Sequence, residues 1–142
     1  MNPDDADAVH FMEIAAHLGY LGYEVAPPPD GQPWFIATHP DNWTFGFARR
    51  NTSLWLRCVV TLPDDELCDF PRTLEWVNEL RREASLAKYH VTREDGGECI
   101  VEASALLPLA YDRKSFGAWM LQWVEDTSRL AKPRVEPHRK QR

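Results

Sequence analysis

No apolar run in this sequence approaches the ~20 residues that a membrane span needs. Its opening, Met1-Asn2-Pro3-Asp4-Asp5, lacks the basic and apolar stretches of a secretory leader. Both absences point to the cytoplasm, and no membrane partner is expected. Cysteine is scarce, with only Cys58, Cys68 and Cys99. Three cannot all pair within one chain and no two form a C-x-x-C pair, so free thiols in a reducing compartment are expected. Cys58 and Cys99 lie in apolar segments, where a thiol acts as a small hydrophobe. The sequence also lacks G-x-G-x-x-G, G-x-x-x-x-G-K-[ST], H-E-x-x-H, G-x-S-x-G and an EF-hand loop, so the common nucleotide, zinc, serine-hydrolase and calcium signatures are missing. No catalytic residue, cofactor or metal ion is assigned from sequence.

What remains is an ordinary globular composition: 142 residues, 44% hydrophobic and 27% charged. One α+β domain over residues 1–131 is expected, followed by a basic, solvated tail over residues 132–142. The tail holds five Lys/Arg against the single Glu136, so the rest of the chain is more acidic than the net charge of −6. An acidic body repels nucleic-acid phosphates, and no nucleic-acid partner is expected. Pro133 and Pro137 keep the tail from forming a helix.

Apolar residues from Ala6 to Tyr23 recur at spacings of two to four, which predicts a first helix ending near Gly19 and Gly22. Pro27-Pro28-Pro29-Asp30-Gly31-Gln32-Pro33 is too rich in proline for a helix or a central strand. Trp34–Thr38 reads as a short strand. In the next, Trp43, Phe45 and Phe47 alternate with Thr44, Gly46 and Ala48, placing three aromatics on one face. Leu54–Leu62 is a third strand, apolar at nearly every position except Arg57. Leu74, Val77, Leu80 and Ala84, with Trp76 beside them, predict a second helix over about 72–87, after Asp69 and Pro71 at its start. Lys88–Arg93 and Glu98–Leu107 flank Glu94-Asp95-Gly96-Gly97, a strong hairpin signal. Asp112 is placed to cap a last helix carrying Phe116, Trp119, Met120, Trp123 and Val124. The resulting order is α-β-β-β-α-β-β-α, an antiparallel sheet with helices packed on it.

Few residues invite chemistry. His10 and His17 are seven apart on the first helix, but a zinc site would need ligands that this helix does not supply. The carboxylate clusters Asp4, Asp5, Asp7 and Asp64, Asp65, Glu66 lack the glycine turn and distal glutamate of a calcium loop. The third strand is more informative. If Leu54, Leu56, Cys58 and Val60 face the helices, Trp55, Arg57 and Val59 face the other way, either to meet a protein partner or to be covered by the proline-rich connection or the second helix. Trp55, Arg57, Val59 and Trp76 are therefore the candidate partner-binding residues.

Leu74-Glu75-Trp76-Val77-Asn78-Glu79-Leu80, Ala87-Lys88-Tyr89-His90-Val91 with its Asp95-Gly96 hairpin, Glu102–Leu107 and Tyr111-Asp112-Arg113-Lys114-Ser115-Phe116 together resemble the YbjN-like family of bacterial sensory-transduction regulators. That family is similar in fold to the class I chaperones of type III secretion. The resemblance implies a non-enzymatic binding module, chaperone-like or regulatory, that forms a homodimer and binds a protein partner, with no catalytic residues to carry over. The alternative is a small-molecule-binding domain or an enzyme with a pocket between the first helix and the strand carrying Trp43, Phe45 and Phe47.

Overall fold

A computed structural model describes residues 3–62 and 70–130, without the side chains of 3–7. Helices and strands alternate as expected: α1 (Pro3–Tyr20), β1 (Glu24–Ala26), β2 (Phe35–Thr38), β3 (Phe45–Arg50), β4 (Ser53–Leu62), α2 (Phe70–Glu83), β5 (Lys88–Arg93), β6 (Cys99–Pro108) and α3 (Arg113–Ser128). β1 is a further edge strand, too short to show alternation in the sequence. The six strands form one antiparallel sheet in the order β1-β2-β3-β4-β6-β5. The expected tail and the cluster at Asp64, Asp65 and Glu66 lie outside the described residues, as does Asp69.

Turn chemistry fixes the register. Asn51 holds φ 57 between β3 and β4, a left-handed conformation that asparagine tolerates, and Arg50 pairs with Ser53 around it. Gly97, at φ 89, closes the β5–β6 hairpin, where Glu94 N–H donates to the Glu98 carbonyl. β4 and β6 then pair over ten positions, from Ser53↔Pro108 to Leu62↔Cys99. They form the centre of the sheet.

Alternation along these strands sorts their residues. Leu54, Leu56 and Cys58 on β4, with Val101, Ala103, Ala105 and Leu107 on β6, are buried on the helix side. Phe11 of α1 packs on Phe35 and Phe47 at ring-centroid distances of 4.9 and 5.3 Å, and Trp123 of α3 meets Phe45 at 5.8 Å. Asp112 caps α3 as its position predicts, its Oδ2 accepting from Ser115 N–H at 2.9 Å. α2 buries Thr73, Trp76, Val77 and Leu80, whereas Leu74, which spacing put on that stripe, is exposed. The helix is turned so that the wide indole of Trp76, rather than Leu74, fills the space above the sheet. No described helix is long and apolar enough to cross a membrane.

The free-thiol expectation holds for Cys58 but not for Cys99. Cys58 is buried and free, and burial pushes its thiol up to about 11. Cys99 is disulfide-bonded. It begins β6 opposite Leu62, at the end of the sheet where β4 leaves for residues 63–69, and strand pairing is what brings it there. The thiol-based argument for a reducing compartment therefore falls away.

α3 carries one fully buried carboxylate, Asp126. Its Oδ2 accepts the backbone N–H of Leu86 and of Ala87, both at 2.8 Å, and its Oδ1 accepts Ser85 N–H at 3.2 Å and the Gln122 amide at 3.0 Å. The Asp126 carbonyl takes the Tyr89 hydroxyl at 2.7 Å. Burial, reinforced by the Asp126 charge, holds the Tyr89 phenol well above its usual range. This carboxylate thus pins the connection from α2 to β5. Asp126→Ala is expected to cost about 3–5 kcal/mol in denaturant unfolding, because it orphans buried amides. Tyr89→Phe, which removes a single hydroxyl bond, should cost only about 1 kcal/mol.

Candidate functional site

The strand registers define which side chains share the face away from the helices. One rung runs Ala48↔Trp55↔Leu106, the next Ile36↔Gly46↔Arg57↔Ser104↔Lys88, and a third Val59↔Glu102↔His90. Antiparallel partners point to the same side of a sheet. Trp55, Arg57 and Val59 therefore lie together on this face, as alternation along β4 predicts. Val59 is 42% exposed and Leu106 55% exposed, two rungs apart on this face with the Arg57–Ser104 rung between them. The structure separates Trp76 from this group: it is 5% exposed and packs in the core on the opposite side of the sheet.

Trp55 is half-buried by its own chain. Trp34, at the end of the proline-rich connection, brings its ring to 4.6 Å from that of Trp55. The Arg50 guanidinium lies 5.1 Å from the Trp55 ring centre and Arg57 lies 5.8 Å from that of Trp34. Arg50, Trp55, Trp34 and Arg57 form a cation–aromatic ladder, each cation contact worth about 0.5–1 kcal/mol at such an exposed site. Gly46 makes the seat for Trp34: a Cβ built there would meet the indole at 3.2 Å. Glycine in a strand here marks the close approach of a ring to backbone.

Beside this ladder lies a groove of ≈ 510 Å³, walled by Pro29, Trp34 and Trp43 and floored by Ile36, Gly46 and Val59. Arg57 also lines it. Its Nε is paired with the carboxylate of Glu102. Between α1 and the aromatic strand, Phe45 and Phe47 are 2% and 0% exposed under Phe11 and Trp123, and the opening beside α1 is lined by Ala8, Phe11, Met12, Pro33, Phe35 and Arg49. Trp43 and the Gly46 backbone also line the groove on the face away from the helices. Sequence reasoning missed Trp34, Gly46 and Leu106 as parts of the face. Leu106 and Gly46 had a readable signal, the alternation of Ile100, Glu102, Ser104 and Leu106 along β6 and that of Gly46 with the aromatics of β3, whereas Trp34 had none.

The histidines of α1 serve a different purpose. His10 Nδ1 accepts the backbone N–H of Tyr111 at 3.0 Å, and His17 Nδ1 lies 2.9 Å from the Tyr111 hydroxyl. The His17 ring also packs edge-on against Phe116 at 5.1 Å. Both tie α1 to the connection between β6 and α3. Among the described residues no group of histidine, cysteine or carboxylate side chains is arranged to hold a metal ion.

No family model matches the sequence, and no curated protein does so either. Solved structures show a related fold. YbjN from E. coli, a proposed transcription regulator, superposes with a TM-score of 0.59 at 10% identity, over 84% of this chain and 86% of that one. An uncharacterised protein from Methanothermobacter thermautotrophicus gives 0.60 at 8% identity, over 93% and 98%. The fold is YbjN-like.

Two outcomes follow from this geometry. Gly46→Val should drive Trp34 off its seat, and the near-ultraviolet circular dichroism of the Trp34–Trp55 pair should collapse while the far-ultraviolet spectrum stays. Burial, with Arg113 nearby, lowers the affinity of His17 for a proton below its unfolded value of 6.5. The stabilisation from neutral His17 is complete above pH ~6.5 and fades as pH falls through the lower folded value. Thermal midpoints should therefore drop between pH 7 and 5, and the drop should shrink in His17→Gln.

Proposed function

We propose that this chain is a non-enzymatic protein-interaction module, chaperone-like or regulatory, whose partner-binding surface is the sheet face carrying Trp55, Arg57 and Val59. The observation that carries this reading is the exposure of Val59 and Leu106 on adjacent central strands, flanked by the Trp34–Trp55 pair. Apolar groups, Trp55 with Leu106 and then Val59, lie on either side of the Arg57–Ser104 rung and are edged by Arg50, Lys88 and Glu102, a mixed surface of the kind a protein partner meets. Trp76 drops out of the surface, and α2 with it as the primary contact.

The first partner is a second copy of the chain. Six strands about 4.8 Å apart, with ten-residue strands at the centre, offer a face on the order of 700 Å², close to the share one partner contributes to a standard interface. The regulatory reading draws on the fold shared with YbjN, described as a proposed transcription regulator, and the chaperone-like reading on the sequence resemblance alone. Neither nucleic acid nor a membrane is part of this proposal. The acidic balance of the chain opposes the first.

Light scattering after size exclusion is expected to give a dimer at micromolar concentration. Leu106→Lys, which places a charge on the exposed face opposite Trp55, should yield a monomer with an unchanged far-ultraviolet circular dichroism spectrum. A wild-type monomer, or a dimer indifferent to Leu106→Lys, defeats the reading.

A further inference from the structure

The groove beside Trp34 has a composition that the interaction face alone does not require. Its lining is mostly apolar or aromatic, from Pro29, Trp34, Ile36, Trp43 and Val59 with bare backbone at Gly46, and includes the uncharged polar Gln32 and Thr44. The one charged side chain lining it is Arg57. Glu102 engages the Nε of that guanidinium, and among the described residues its two Nη groups have no further acceptor. Glu102 therefore fixes the arginine from one side, and the Trp34 ring supports it from another at 5.8 Å. A guanidinium held this way presents a planar pair of donors matched to a carboxylate.

The volume of ≈ 510 Å³ falls within the range of small-molecule sites, and mostly apolar walls with a few polar groups are their usual make-up. Charge narrows the choice of ligand. Glu102 occupies the Nε side of Arg57, which leaves one pair of Nη donors, room for a single planar carboxylate, and the nearby Glu102 charge disfavours a second negative charge such as a phosphate dianion brings. Flat walls at Trp34 and Trp43 favour a ring as the apolar body.

We propose that this groove is a binding site for a free small aromatic monocarboxylate, with its ring between Trp34 and Trp43 and its carboxylate on the Nη groups of Arg57. The site stands on the monomer fold alone and does not need the face to be a dimer interface.

Calorimetric titration of the full chain with 2-naphthoate tests it, with 2-naphthamide, phenyl phosphate and a tripeptide ending in phenylalanine as comparison probes. Saturable 2-naphthoate binding is expected, at least ~10-fold tighter than the amide, since the amide forfeits a charge-assisted pair of hydrogen bonds. Arg57→Gln and Val59→Trp should each abolish it, the first by removing the donors and the second by filling the groove. A bound ligand should also raise the thermal midpoint of the unmodified chain. Equal affinity for 2-naphthoate and 2-naphthamide overturns the proposal even if both variants fail to fold. So does tighter binding of phenyl phosphate or of the tripeptide, or no saturation at millimolar concentration. Titration of the Leu106→Lys chain separates this outcome from the dimer reading, because 2-naphthoate binding should persist there whatever the oligomeric state.

Discussion

A buried carboxylate holds the two halves of this fold together. Asp126 accepts three consecutive backbone amides, Ser85, Leu86 and Ala87, where α2 gives way to β5. A turn that leaves amides buried and unpaired is unfavourable, and an unpaired buried carboxylate is worse, so each satisfies the other. The same residue receives the Tyr89 hydroxyl through its carbonyl, which ties the start of β5 to α3. With β5 fixed, the hairpin to β6 is fixed, and β6 can lie along β4 over ten residues. The face opposite the helices exists because that central pair is long and in register.

On that face, coverage and exposure are divided. The proline-rich connection delivers Trp34 across Gly46 onto Trp55, so one end of β4 is capped by the chain itself. Val59 and Leu106 remain open to solvent. Of the two possibilities that alternation left open for β4, cover by the connection applies to Trp55, whereas Val59 is exposed. Arg57 sits at the boundary between them and is held by Glu102.

Much of this was legible because the responsible forces are local. Period-two alternation in β4 follows from backbone geometry, so Leu54, Leu56 and Cys58 went inward and Trp55, Arg57 and Val59 outward as their positions dictated. Asp112 and Gly97 act within a few residues of themselves, and both cap and hairpin were readable. The stripe on α2 was misjudged at Leu74 and Trp76 because helical spacing gives the width of an apolar face but not its rotation toward the sheet. Cys99 was misjudged because nothing in its spacing shows that strand pairing carries it to the sheet end where a disulfide forms.

By itself the sequence determined the element order, the class of the fold, the inward and outward sides of the central strand and the absence of the common catalytic signatures. Tertiary structure alone decided that Trp34 rests on Gly46, that His10 and His17 converge on Tyr111, that Asp126 meets three amides 39 to 41 residues away, and that Trp76 is core rather than surface. The reason is separation along the chain. Propensity, capping and alternation act over one to four residues, whereas a buried acceptor, a ring seat or a groove is made by groups that meet only after the strands have paired.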